Sequence, residues 1–168
     1  EKAFRDFEGP LFRHCYFKLL NRERAKELMQ DTFCRAWNFA RNGGAIQHMR
    51  GFLYRIANNL IINDVKKRKE QSLDALMERG FDIGNDTMQQ VKNQMDARAI
   101  LPYVRTLPPV YRDVVVLRYI DDFSPSEISK ILGKSNNVIS VRLHRGLHRL
   151  RSRLSFSSHA TTIRSSTL

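Results

Sequence analysis

Apolar residues recur every three or four positions along most of this chain, the periodicity of helices that bury one face. From Lys2 to Leu20 the series is Phe4, Phe7, Leu11, Phe12, Tyr16 and Leu19; Gly9 and Pro10 interrupt it, which predicts a helix with a bend. A cleaner stripe follows in Ala25, Leu28, Met29, Phe33, Ala36, Trp37 and Ala40, closed by Asn42-Gly43-Gly44. The opposite face of that helix carries Glu23, Glu27, Gln30, Asp31 and Asn38.

A third helix is predicted from about Arg50 to Lys69, with Leu53, Ile56, Ala57, Leu60 and Ile61 turned inward. Its other side holds Arg55, Asn59, Asn63 and Lys66 and runs into Lys66-Lys67-Arg68-Lys69. Residues 70 to about 88 contain Gly80, Gly84 and several carboxylates without clear periodicity, and so read as a linker.

Helical spacing resumes from Met88 to Thr106, and Pro108-Pro109 opens the next helix, with Val110, Val114, Leu117 and Ile120 as its core face. Ser124-Pro125-Ser126-Glu127 has the form of a helix start, with Ser as N-cap, Pro at the first helical position and Glu reaching back to complete a capping box. The helix it opens buries Ile128, Ile131 and Leu132 and stops at Gly133. Only Lys134 and Ser135 then separate it from a last helix with the core stripe Ile139, Leu143, Gly146, Leu147, Leu150 and Leu154. Two helices joined by so tight a turn form a helix-turn-helix, so Leu107 to Leu154 reads as a DNA-binding unit. The Ser- and Thr-rich residues 155–168 lack a stripe and are expected to be disordered. The whole chain reads as all-α, with two small helical domains (1–70 and 89–154) joined by a flexible linker at 71–88.

Charge sharpens the picture. The 168 residues carry a net charge of +12, which favours a polyanionic partner. Residues 1–72 hold 15 basic against 8 acidic side chains, residues 73–97 hold 2 against 5, and residues 98–168 hold 12 against 4. Two basic units separated by an acidic strip imply two separate contacts with nucleic acid. On the last helix Asn137, Ser140, Arg142, His144, Arg145, His148, Arg149 and Arg151 surround the solvent side without one acid. A merely solubilising face would intersperse carboxylates for i,i+4 pairing, whereas this one suits a major groove, where Arg forks onto guanine. The Arg55, Asn59, Asn63, Lys66 stripe is less specific. Asn amides can bond the edges of unpaired bases, the adjoining Lys66 and Lys67 can hold a backbone, and Phe52 and Tyr54 are candidates to stack bases, with the core the favoured place for Phe52.

The two cysteines, Cys15 and Cys34, form no CxxC pair, so neither a metal site nor a disulfide framework is indicated, and no cofactor is expected. No phosphate-cradling glycine loop, nucleophile elbow or metal-ligand spacing is present, so catalysis is not expected. The longest aliphatic run, Val114 to Leu117, is too short to span a bilayer, and no signal peptide precedes the first helix; a reducing cytoplasm fits. The chain begins at Glu1 rather than Met, which suggests that a few residues precede it.

These residues resemble a known family. Leu107-Pro-Pro-Val-Tyr-Arg-Asp-Val-Val-Val-Leu-Arg-Tyr, Phe123-Ser-Pro-Ser-Glu-Ile-Ser-Lys-Ile-Leu-Gly and Val141-Arg-Leu-His-Arg-Gly-Leu-His-Arg-Leu-Arg are similar to region 4 of bacterial RNA polymerase sigma factors. Glu27-Leu-Met-Gln-Asp-Thr-Phe-Cys-Arg-Ala-Trp and Gly51-Phe-Leu-Tyr-Arg-Ile-Ala-Asn-Asn-Leu are similar to region 2. Their order and spacing are those of the small extracytoplasmic-function (ECF) group of the sigma-70 family. The resemblance implies that Glu27, Gln30, Asp31 and Phe33 bind the clamp helices of core RNA polymerase. It implies that Arg55, Asn59, Asn63, Lys66 and Lys67, with the loop Asn42 to Arg50, open the minus-10 element and hold a flipped base. Asn137, Ser140, Arg142, His144 and Arg145 would read the minus-35 element, and region 4 would also touch the polymerase flap. An anti-sigma factor, often membrane-bound, would hold the protein inactive and place it at the bacterial inner membrane. Two positions depart from the family pattern. Val138-Ile139-Ser140-Val141 replaces the usual Thr-Val-Lys/Arg-Ser, and Gly43, Gly44 and Met49 stand where relatives often place aromatics. The residues taken without the resemblance leave open an ordinary helix-turn-helix regulator that binds operators independently of polymerase.

Overall fold

The structure is a computed structural model that describes residues 2–75 and 102–164, and all its regular elements there are helices. They fall into two compact units. The first contains α1 (Lys2–Leu19), α2 (Arg22–Arg41) and α3 (Met49–Ala75), each packed on the other two. Helix α1 runs through Gly9 and Pro10 as one continuous helix. The missing proline N–H would have bonded the carbonyl of Asp6, an exposed residue that water can satisfy.

The turn from α1 to α2 takes two residues. Leu20 adopts φ +58° and its N–H bonds the Tyr16 carbonyl at 2.8 Å, while the Asn21 side chain caps α2 by accepting from the Arg24 N–H at 2.9 Å. The core of the unit is Leu11, Cys15 and Phe17 from α1, Ala25, Leu28, Met29 and Ala36 from α2, and Leu53, Tyr54, Ala57, Leu60 and Ile61 from α3.

Three expectations for this unit change. The buried face of α1 includes His14, Cys15, Phe17 and Lys18, whereas Phe4 is exposed. His14 meets the Tyr54 ring edge-on at 4.8 Å, and Lys18 donates to Asn58, so polar groups fill positions that a hydrophobic count passes over. Trp37, placed in the core stripe of α2, is 67% exposed because Ala36 beside it makes the packing contact. Helix α3 continues six residues past Lys69, taking the first five residues of the expected linker, 71–75, into helix; the rest of that linker, 76–88, lies outside the described residues. No Gly or Pro stands between Gly51 and Ala75 to stop it.

The second unit contains the helical residues 102–105, then α4 (Pro109–Tyr119), α5 (Pro125–Leu132) and α6 (Asn136–Arg164). Of the helix expected over Met88 to Thr106, residues 88–101 lie outside the described residues. Pro108 is the N-cap of α4. Val110 does not join the core and is 46% exposed, but Val114, Val115, Val116 and Leu117 are all buried. Four consecutive buried residues go right round a helix, so α4 is the central element, contacted by both α5 and α6.

The capping box at Ser124 is complete. The Glu127 N–H donates to Ser124 Oγ at 3.3 Å, and the Ser124 N–H donates to the Glu127 carboxylate at 2.8 Å. Gly133 closes α5 in the left-handed conformation, φ +61°, and both its N–H and that of Lys134 return to the Ser129 carbonyl. The Ser135 hydroxyl then accepts from the Val138 N–H at 3.4 Å to start α6. Helix α6 does not stop near Leu154. It extends to Arg164, so the expected disordered tail is helical to that point, because the Ser- and Thr-rich segment contains no Gly or Pro.

Candidate nucleic-acid interface

Helix α6 shows how spacing becomes a reading face. Ile139, Leu143, Gly146 and Leu150 are buried, and Asn137, Val141, Arg145, His148 and Ser152, spaced four, four, three and four apart, line the opposite, exposed side. Ser140 and His144 flank this row on one side and are exposed. Arg142 and Arg149 flank it on the other, with Arg142 half-buried. The guanidinium of Arg149 lies 5.2 Å from the centre of the Tyr111 ring, a cation–π contact that holds it against α4. Tyr111, His144, Arg145, His148, Arg149 and Ser152 line one open groove on this face.

The helix contains no Asp or Glu, so its arginines have no carboxylate on their own element to neutralise them. Of the five residues expected to meet duplex DNA here, Asn137 and Arg145 lie on the central row, and Ser140, Arg142 and His144 lie at its margins. Sequence reasoning missed Val138 and Val141, which are 37% and 42% exposed on the same side. Their signal was an apolar pair out of phase with the core stripe, and isolated methyl groups there fit thymine C5-methyls.

Helix α6 seats closely on α4. A Cβ placed on Gly146 would stand 2.9 Å from Val115 Cγ2 and 3.5 Å from Tyr111 Cβ, so the glycine makes room for the partner helix.

In the first unit the candidate residues divide between two helices. On α2, Glu27 and Gln30 are exposed, and Asp31 is half-buried with Arg35 ion-paired to it at 3.3 Å. Phe33 is half-buried against Phe4, with ring centroids 4.8 Å apart. On α3, Arg55, Asn59, Asn63, Lys66 and Lys67 are all exposed. Their spacing of four, four, three and one places the first four within a quarter-turn of one another. Tyr54 cannot stack on a base, since it is 1% exposed; Phe52 is half-buried against Phe39 at 4.9 Å. The loop after α2 folds back over that ring: Gly43 takes φ +84°, and a Cβ on Gly44 would collide with Phe39.

A buried carboxylate links the two helices, and no reading of the sequence anticipated it. The Asp64 side chain is 5% exposed. Arg24 of α2 donates to it through Nε at 2.8 Å and approaches through a second nitrogen at 2.5 Å, while Arg68 stands 3.1 Å away, close enough for an ion pair without the alignment of a hydrogen bond. Arg24 also pairs with Glu27. Asp64 first and Glu27 second push the Arg24 guanidinium above its ordinary value. Among the described residues no group of three or more His, Cys, Asp or Glu could hold a metal ion. Among the same residues no helix is long and apolar enough to cross a membrane.

The first unit is all-helical with an exposed amide and basic stripe, and the second ends in a helix-turn-helix whose last helix has an acid-free outer face. Residues 3–71 match the family model "Sigma-70 region 2" and residues 97–150 match "Sigma-70, region 4", together well over half the chain. The chain is 29% identical to the ECF RNA polymerase sigma factor SigW of Bacillus subtilis, over 92% of this chain and 90% of that protein. It is 28% identical to the ECF RNA polymerase sigma factor SigE of Mycolicibacterium smegmatis, over 96% of this chain but 63% of that longer protein. Its fold is similar to that of the sigma factor RpoE of Bartonella quintana, solved in complex with the anti-sigma factor NepR. There the TM-score is 0.74 at 19% identity, covering 90% of this chain and 95% of that one. The chain belongs to the sigma-70 family of RNA polymerase sigma factors, in its ECF group. As a sigma factor it directs core RNA polymerase to promoter DNA.

Proposed function

We propose that the two units divide this task as their surfaces suggest: residues 1–70 bind core polymerase and open the minus-10 element, residues 89–154 read the minus-35 element, and residues 71–88 connect them. The observation that carries the division is the exposed, acid-free amide and basic stripe on α3, set against a helix α2 whose exposed side carries carboxylates. Helix α2 carries Glu23, Glu27 and the half-buried Asp31, each paired with a basic residue three or four positions away, and α3 presents Arg55, Lys66 and Lys67 with Asn59 and Asn63 between them. One face suits a basic protein and the other suits DNA with unpaired bases. Glu27, Gln30, Asp31 and Phe33 are therefore the docking surface for the clamp helices of polymerase.

On α3, Asn59 and Asn63 meet base edges, and Arg55, Lys66 and Lys67 hold phosphates. On α6, Asn137 and Arg145 contact bases most directly, with Ser140, Arg142 and His144 at the margins, and the same unit touches the polymerase flap. The Bartonella relative was solved bound to an anti-sigma factor, and we propose the same mode of control here, with a membrane-bound anti-sigma factor holding a cytoplasmic sigma factor at the inner membrane. The deciding experiment is reconstitution with purified core polymerase, read by co-elution and by run-off transcription from genomic promoters. Stable association with promoter-specific transcripts is the expected result. DNA binding that never requires core enzyme would instead identify an operator-binding regulator.

A further inference from the structure

A residue in phase with an exposed helical stripe is expected to be exposed itself, and Phe52 is not. At about 100° per residue it falls between Asn59 and Asn63 in angle, on the side of α3 that carries Arg55 and Lys66. That side points away from the buried Leu53, Ala57, Leu60 and Ile61, yet Phe52 is half-buried. Against it lies Phe39, from the last turn of α2, with ring centroids 4.9 Å apart and ring planes tilted by 43°. Phe39 therefore stands on the outer side of α3, at the N-terminal end of the stripe, and is itself 44% exposed.

We propose that the ring of Phe39 is a platform on which an unpaired base of the opened minus-10 element stacks. The proposal deepens, and rests on, the reading that the α3 stripe meets that strand. Two neighbours hold the ring in place: Phe52 on one side and the backbone of Gly44 on another, so close that a Cβ there would collide with it. Gly43 at φ +84° turns the chain into this approach. A ring already fixed by its neighbours loses little rotamer freedom when a base lands on it.

The order of groups along α3 suits a single strand. Arg55 follows Phe52 by three residues and Asn59 by seven, about 4.5 and 10 Å along the helix axis. One strand running along the stripe meets in turn the aromatic platform, a cation for its phosphate and two amides for base edges. Every base has a π-face, so the platform adds hold without sequence preference, and the edges read by Asn59 and Asn63 discriminate. In a duplex the same π-faces are covered by neighbouring bases, so the platform favours DNA that is already open.

The test uses holoenzyme reconstituted from core polymerase and the full chain, and a promoter found by run-off transcription, built with a non-complementary bubble over its minus-10 element. Each unpaired nucleotide in turn is made abasic. At one position the loss of the base is expected to weaken binding roughly fivefold to a hundredfold, the worth of one base stacked on an aromatic ring. A nonpolar base isostere at that position, which stacks without hydrogen bonds, is expected to restore binding. Phe39→Leu keeps apolar bulk against Phe52 and Gly44; it is expected to cost the same factor on the intact bubble and nothing further on the abasic one. If the two losses multiply, or if Phe39→Leu binds the bubble undiminished, the stacking role is overturned. It is equally overturned if the isostere rescues no position, a measurement that needs no variant chain to fold. Asn59→Ala separates this role from the reading beneath it. Undiminished binding by that variant would remove α3 from the opened strand and the platform with it, whereas a weakened Asn59→Ala beside an unaffected Phe39→Leu removes the platform alone.

Discussion

Gly146 offers the most stringent check on how the reading helix is held. Replacing it with Ala does two opposed things. In an exposed helix the change would gain about 1 kcal/mol of propensity. Here the new methyl meets Val115 Cγ2 at 2.9 Å, and Val115 is 2% exposed and β-branched, so it cannot swing aside. Overpacking of this kind costs roughly 1 to 3 kcal/mol, which leaves Gly146→Ala between about neutral and 2 kcal/mol destabilising. Val115→Ala alone should cost about 1 to 3 kcal/mol through lost burial and the cavity it leaves. In that background, however, the obstructing methyls are gone, and Gly146→Ala should become stabilising by about 1 kcal/mol. The pair therefore carries a coupling of roughly 1 to 3 kcal/mol, readable by urea unfolding followed through helical circular dichroism on all four chains. Additivity to within about 0.5 kcal/mol would show that α4 and α6 are not seated as described, and with that the phase assigned to Arg145 would fall.

The DNA-facing residues separate by kind of contact. Arg145→Ala should weaken minus-35 binding by about 1 to 3 kcal/mol and relax preference at one base position, whereas Lys67→Ala should lower affinity alike on all sequences and reduce the salt slope by about 1; competition binding across base-substituted promoters tells the two apart. Asp31→Lys should reduce association with core polymerase about tenfold or more by placing like charges together, while DNA binding by the free chain is retained; undiminished co-elution would move the docking surface off α2. Ser124→Ala removes half of the capping box and should cost about 1 kcal/mol, seen as a fall in the melting temperature of the helix-turn-helix unit, with no change expected in the first unit.

Local chemistry was the part of this fold most legible in the sequence. Ser124 with Glu127, Pro109, Gly133 and the Asn42-Gly43-Gly44 stop act through neighbours three or four residues away, so their roles do not depend on the tertiary arrangement. The phase of α1 was harder because aromatic residues surround it. What selects the buried side is contact with α3, where Lys18 meets Asn58 forty residues later. Val138 and Val141 fell outside both sets: the core stripe left them out, and a search for polar base contacts passes over methyl groups. The Asp64 cluster joins α2 to α3 across forty positions, and nothing in the spacing of Arg24 and Asp64 announces a pair.

The proposed reading face makes a particular demand on the scaffold of the second unit. Reading duplex DNA requires several side chains to arrive in fixed register, and the second unit supplies this. Gly133 and Ser135 set where α6 begins, Gly146 sets how deeply it sits, and Tyr111 steadies Arg149. An acid introduced into the acid-free face of α6, as in Val141→Glu, should therefore abolish minus-35 binding outright. A salt titration on minus-35 DNA checks it, and undiminished binding would move the reading face off this row of α6.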